Sequence, residues 1–155
     1  METYNHYVKG IDPVADAFAG TVYSDVISMK NHNHVTFIYY KGVSTGGTAN
    51  GTITVEACST NAAAAVSAIP FNYRAITTGD THGDITAAAA TGFVTSVGSS
   101  QIYAIEVDVE ALLASGYEYI RLKAVEDSND PVVGCVLAIL SEPRYDQAVQ
   151  ATAIV

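Results

Sequence analysis

Four groups of residues in this chain have types and spacings that chemistry uses. Gly42-Val-Ser44-Thr-Gly46 matches the nucleophile-elbow pattern, in which a serine sits on a strained turn between a strand and a helix. A strand is expected before it. Gly47-Thr-Ala-Asn-Gly51 after it cannot start a helix, so the segment reads as a hairpin loop. His32 and His34, two apart on a strand, put both rings on one face, as zinc or nickel binding needs. A metal site also needs a third ligand and a supporting shell. With only His6 and His82 besides, turn or surface histidines are the simpler reading. Asp80-Thr-His-Gly-Asp84 sets two carboxylates near a glycine, but lacks the acidic residue that closes a calcium loop. Asp25, Glu106, Asp108 and Glu110 would suit acid/base work on a sugar, yet Asp108 and Glu110 are equally explained by a helix start. Asn50-Gly51-Thr52 is formally a glycosylation sequon and more simply a turn. No phosphate loop, dinucleotide fingerprint or paired-cysteine metal site is present. No catalytic, cofactor-binding or metal-binding residue is therefore expected.

The elements that would position such groups are strands. A chain of 155 residues suits one domain, and one of that size hides roughly 70% of its unfolded surface without help from metal or disulfide. Charged residues make up 15%, against about 25% in an ordinary domain, which suggests an exterior partly covered by partners. Net charge is −9 and the seven basic residues are scattered, which argues against nucleic acid. Cys58 and Cys135 lie far apart and fit a reduced compartment. The first residues carry no signal-peptide pattern, and no apolar run reaches the ~18 residues that cross a bilayer. Neither secretion nor a membrane is expected.

Tyr117 to Leu140 organises the strand pattern. Val132 to Leu140 is uncharged and rich in β-branched residues, so it reads as a strand buried on both faces, inside a sheet or under a neighbouring subunit. Tyr117 to Val125 alternates, with Ile120, Leu122 and Ala124 on one side. Asp127-Ser-Asn-Asp130 between them is turn chemistry, which predicts a hairpin. Val35, Phe37 and Tyr39 share one face of a strand over His34 to Lys41. Ile53, Val55 and Ala57 share one face of Thr52 to Cys58, and these two strands are expected to form a second hairpin. Further strands are expected at Val22 to Met29, Ile69 to Thr77, Phe93 to Val97 and Ile102 to Val107. The last carries Tyr103, Ile105 and Val107 inward. Asp108 as N-cap and Gly116 as stop predict one short helix near residues 109–115. The sum is an all-β chain, a two-sheet antiparallel sandwich of jelly-roll or Greek-key type. Residues 21–146 form the domain, 1–20 an N-terminal arm and 147–155 a C-terminal arm.

The chain has ten tyrosines and no tryptophan. Tyr4, Tyr7, Tyr40, Tyr119 and Tyr145 fall outside the inferred core faces. Tyrosine suits half-buried strand positions, and equally suits interfaces. With Phe18, Val149, Ile154 and Val155 of the low-charge termini, these make the candidate interface residues. Exposed aromatics on a sandwich also raise the alternative of a carbohydrate-binding module.

The order of these features resembles a family of small virion proteins in tailed bacteriophages. The resemblance begins at Val26-Ile-Ser-Met-Lys-Asn-His-Asn-His-Val-Thr-Phe-Ile and continues through the glycine-rich loop and Thr52-Ile-Thr-Val-Glu-Ala-Cys. It runs on through Ile105-Glu-Val-Asp-Val-Glu-Ala-Leu-Leu and Gly116-Tyr-Glu-Tyr-Ile-Arg-Leu to Pro143-Arg-Tyr145, spanning about residues 22 to 146. That family offers no catalytic residues to carry over. The resemblance implies a β-sandwich structural protein of the particle, a capsid decoration or cement protein, with a tail component as the sibling reading. Its implied partners are the major capsid protein and other copies of itself, a trimer suiting the local three-fold axes of a shell. Its implied location is the capsid surface of the virion, after synthesis in the host cytoplasm. No cofactor is implied.

Overall fold

A computed structural model describes residues 5–145 and 151–154. Tyr4, Val149 and Val155 lie outside the described residues. The described chain forms two antiparallel sheets packed face to face, as the alternating strands predict. The first sheet contains β1 (His6–Val14), β4 (His32–Ser44), β7 (Phe71–Ile76), β8 (Thr86–Ala88), β10 (Gln101–Asp108) and β12 (Val132–Pro143). Their spatial order is β1-β12-β4-β10-β7-β8. The second sheet runs β2 (Thr21–Tyr23), β11 (Tyr119–Glu126), β5 (Gly51–Cys58) and β6 (Val66–Ile69). β3 (Ile27–Ser28) also pairs with β11, and β9 (Phe93–Val94) with β5. One short helix, α1 (Val109–Leu113), joins β10 to β11.

The period-two pattern fixes which side of each strand is buried. Val35, Phe37 and Tyr39 of β4, Ile53, Val55 and Ala57 of β5, and Ile120, Leu122 and Ala124 of β11 all enter the core. Tyr103, Ile105 and Val107 of β10 join them, as the sequence predicts. Val136, Ala138 and Leu140 complete the layer from β12.

Strand pairing differs from expectation. Neither expected hairpin forms: β4 and β5 lie in different sheets, and so do β11 and β12. Each intervening loop crosses the ~10 Å between layers instead of turning back within one. Phe93 to Val97 and Ile102 to Val107 also divide between the sheets, as β9 and β10. The segment expected as one strand from Ile69 to Thr77 switches layers at Pro70, which cannot donate to a ladder. The strand expected over Val22 to Met29 is split into β2 and β3, both on β11. At the break, the Ser24 hydroxyl accepts from the Leu122 amide at 2.9 Å in place of a backbone partner.

The N-terminal arm is corrected as well. His6 to Val14 is a strand of the sandwich, paired with β12 from His6 opposite Leu140 to Val14 opposite Gly134. An apolar strand that ended the sheet would leave its amides bare, and β1 covers them. Phe18, expected at an interface, is instead 5% exposed and stacked on Tyr39 with ring centroids 4.2 Å apart. Its ring lies over Gly134, where a Cβ would run into it and into the Tyr40 carbonyl. Part of the C-terminal arm also returns to the body: Ile154 bridges Ile27, Ala153 is buried, and the Ser28 amide donates to the Ala153 carbonyl.

Two outcomes follow from this packing. Gly134→Ala should lower unfolding stability by about 1–3 kcal/mol, the usual cost of overpacking, measured by chemical denaturation. Deleting residues 1–11 should cost at least about 3 kcal/mol, because it removes the buried Val8 and strips β12 of its outer ladder. A deletion variant that melts like the full chain would contradict the assignment of β1 to the sheet.

Candidate interface

The two outer faces of the sandwich have opposite character. On the second sheet the middle of the outward face of β5 and β11 is charged and paired, between Tyr119 and Cys58 at one end and Val125 at the other. Glu56 accepts from Arg121 Nε at 2.8 Å and sits 3.7 Å from Lys123 Nζ. Arg121 also lies 4.0 Å from the Tyr23 ring centroid, a cation–π contact. These charges form a network at the centre of the face.

The outer face of the first sheet is apolar. Register places Leu137, Ile38 and Ala104 in one row across β12, β4 and β10, with Lys9 at one end and Arg74 at the other. The next row one way is Tyr7, Ile139, Thr36 and Glu106. The next row the other way is Cys135, Tyr40 and Ile102. Tyr7 is 71% exposed, Leu137 46% and Tyr40 43%. Ile38, Cys135 and Ile139 are half-buried. The long apolar run is therefore not buried on both faces within the chain. It alternates, with Val133 and Leu137 standing in solvent. A contiguous patch of this kind marks a contact surface.

The expected interface residues do not converge on one place. Tyr7 and Tyr40 belong to this face. Tyr119 is on β11 in the other sheet, opposite Cys58, so Tyr40 and Tyr119 cannot share one sugar-stacking platform. Tyr145 is exposed just past β12, and Ile154 lies at its bridge to β3. Leu137, Ile139, Ile38 and Ile102 were missing from the expected set. The signal was there: β4 and β12 are apolar at both parities, which one buried face does not require.

The chemistry candidates resolve as follows. Ser44 ends β4 and is followed by a turn and then β5, without a helix. Its hydroxyl shares a 3.0 Å hydrogen bond with Ser99 Oγ. His34 shares one of 3.0 Å with Ser141 Oγ and lies 3.8 Å from Asp108. His32 packs edge-on to His6 with ring centroids 6.0 Å apart. Asp108 holds the N-cap position of α1, but its side chain makes no capping bond. Glu106, Asp108 and Glu110 line one surface hollow beside Phe71 and Ala88. Asp25 is elsewhere, with its amide donating to Gly10. Asp80, His82 and Asp84 sit in the exposed β7–β8 loop. Cys58 and Cys135 are unpaired and in different sheets. Among the described residues no group of three metal-ligating side chains converges, and no helix is long and apolar enough to cross a membrane.

Two buried ions hold the loops at one end of the sandwich. Asp130 accepts from the Gly46 amide at 2.6 Å and the Thr48 amide at 2.7 Å, so the β11–β12 loop grips the β4–β5 loop. These bonds, the one from Gly46 foremost, hold its carboxyl below the usual range. Lys41, buried at the end of β4, donates to the Ala49 carbonyl at 2.8 Å and the Ser96 carbonyl at 2.7 Å. Burial lowers its pKa from 10.5 to about 8. A neutral amine keeps two N–H donors for those two carbonyls.

The signs give distinct pH windows. Between about 8 and 10.5 the unfolded chain holds a proton that folded Lys41 has released, so this group makes stability rise with pH. Burial pushes the Cys58 thiol up, which acts the opposite way in that range. In a Cys58→Ala background the melting temperature should therefore climb from pH 8 to pH 10, and Lys41→Met should abolish the climb. Asp130 stabilises fully above its unfolded value near ~3.9, and the contribution is lost as pH falls through the lower folded value. Asp130→Asn should flatten that acid limb of the melting curve.

Neither a family model nor a curated protein matches the chain. Among solved structures, the crystal structure of SPBc2 prophage-derived protein YomS is similar at a TM-score of 0.48 and 13% identity. The likeness covers 90% of this chain and 95% of that one. This is a phage-derived neighbour at a similarity that carries no functional inference by itself.

Proposed function

We propose that this chain is a structural component of a tailed-phage particle. It is a capsid decoration protein that stabilises the head by non-covalent contact with the major capsid protein and with neighbouring copies. The observation that carries the reading is the apolar outer face of the first sheet, on a sandwich whose other face carries an ion-pair network at its centre. A protein that works by contact needs a rigid body and a large dry surface, and this chain supplies both. The motif order that resembles small phage virion proteins falls on the framework strands, from β3 and β4 through β5, β10, α1 and β11 to the end of β12. Contact through an apolar sheet face, with the shell or with a neighbouring copy, needs no bond made or broken, only area taken out of water.

Mass spectrometry of purified particles from the phage or induced prophage that encodes the chain tests this. The expected result is a copy number in the hundreds, comparable with the major shell protein. A handful of copies per particle would move the chain to the tail and overturn decoration. Absence from particles would overturn the particle reading altogether.

A further inference from the structure

We infer that the occupant of the apolar face is a second copy of this chain, laid on it across a two-fold axis so that the two first sheets meet face to face. The inference takes from the proposed function only that this face is a contact surface.

Area is the first argument. The patch spans β1, β12, β4 and β10 and three cross-strand rows. At ~4.8 Å between strands and ~6.8 Å between rows, its footprint is about 400 Å². A pair covering it would bury on the order of 800 Å² by footprint, and more with side-chain relief, at the low end of the range where weak interfaces lie. The shape also fits, because sheets stack well on sheets at about 10 Å.

Charge is the second. A chain with a net charge of −9 repels its own copies over most of its surface. This face holds Lys9 on β1, ion-paired at 3.4 Å with exposed Asp12 beside it, Arg74 on β7 and Glu106 on β10, with Asp108 in the row beyond, so it is close to neutral where the chain as a whole is acidic. Lys9 and Glu106 occupy different strands and different rows, diagonally across the patch. A two-fold between them sets Lys9 of one copy, exchanging its exposed Asp12 partner, over Glu106 of the other, and the same contact occurs twice. Reciprocity of this kind is what an isologous interface requires.

Geometry disfavours edge-to-edge addition at this sheet. With the three-residue β8 at the other border, the long edge open to a second copy is β1. That edge carries Lys9, the ring of Pro13 and two breaks of register, between Lys9 and Ile11 and between Ile11 and Val14. Such features block strand addition. The face remains open.

Sedimentation velocity of the full chain from about 1 to 100 µM, the range where an interface this small assembles, tests the inference. A dimer is expected. Leu137→Glu, at a solvent-facing position, should weaken it about 100-fold while the melting curve is retained. Val66→Glu, on the exposed β6 edge of the other sheet, should leave the dimer intact. Cys135 gives a measurement that needs no variant. It is half-buried on the proposed interface, while Cys58 is fully buried. Maleimide labelling of Cys135 should slow as protein concentration rises. A monomer at the highest concentration, a trimer, a dimer that survives Leu137→Glu, or a labelling rate independent of concentration would each overturn the inference. A monomeric protein found in hundreds of copies on particles would sink the dimer and spare the particle reading. A dimer broken by Leu137→Glu in a chain absent from particles would do the reverse.

Discussion

The fold depends on β12 being held along its length between β4 and β1. Its inward residues need a smooth floor, and its Gly134 makes room for Phe18 and Tyr39 to stack above it. The ladder to β4 runs from Val132 opposite Ser44 to Pro143 opposite His32. It joins the longest strands of the molecule and sets the frame on which the other pairings are arranged. Because that frame is apolar on its outer side too, the contact surface is part of the strand that builds the core. The requirement for a centre strand and the requirement for a contact face fall on one segment.

Much of this was legible beforehand, and the limits have physical causes. Face assignments came through because a period of two leaves little ambiguity: Val35, Phe37 and Tyr39 had to share a side, and so did Ile120, Leu122 and Ala124. The short helix came through because Asp108 and Gly116 bracket it, and Gly116 does take a left-handed φ of 78°. Pairing did not come through. Asp127 to Asp130 has the composition of a tight turn, but its work is to cap another loop, with Asp130 receiving Gly46 and Thr48. A loop that crosses between layers and a loop that turns back within one use the same residues, so local chemistry cannot separate them.

The contact face was half legible. The run from Val132 to Leu140 was too apolar for a strand with one wet side, and that excess was visible. Ile38, Ile102 and Tyr40 belong to the same patch only through the register of β4 with β10 and β12. Register is a long-range property, and it decided which aromatics counted. Tyr40 joined the patch, Tyr119 faced the other way, and Phe18 disappeared into the core.

The late pairing of the early strands also governs how the chain is born. None of β1, β2, β3 or β4 pairs with another strand that precedes β10. At synthesis rates of ~5–20 residues per second, the first strand must wait on the order of ten seconds for β12 to emerge from the ribosome. Distant pairings of this kind make folding slow and nearly all-or-none. Until then β1 to β4 have no complete set of partner strands, and the finished sandwich can close only when its last strand arrives.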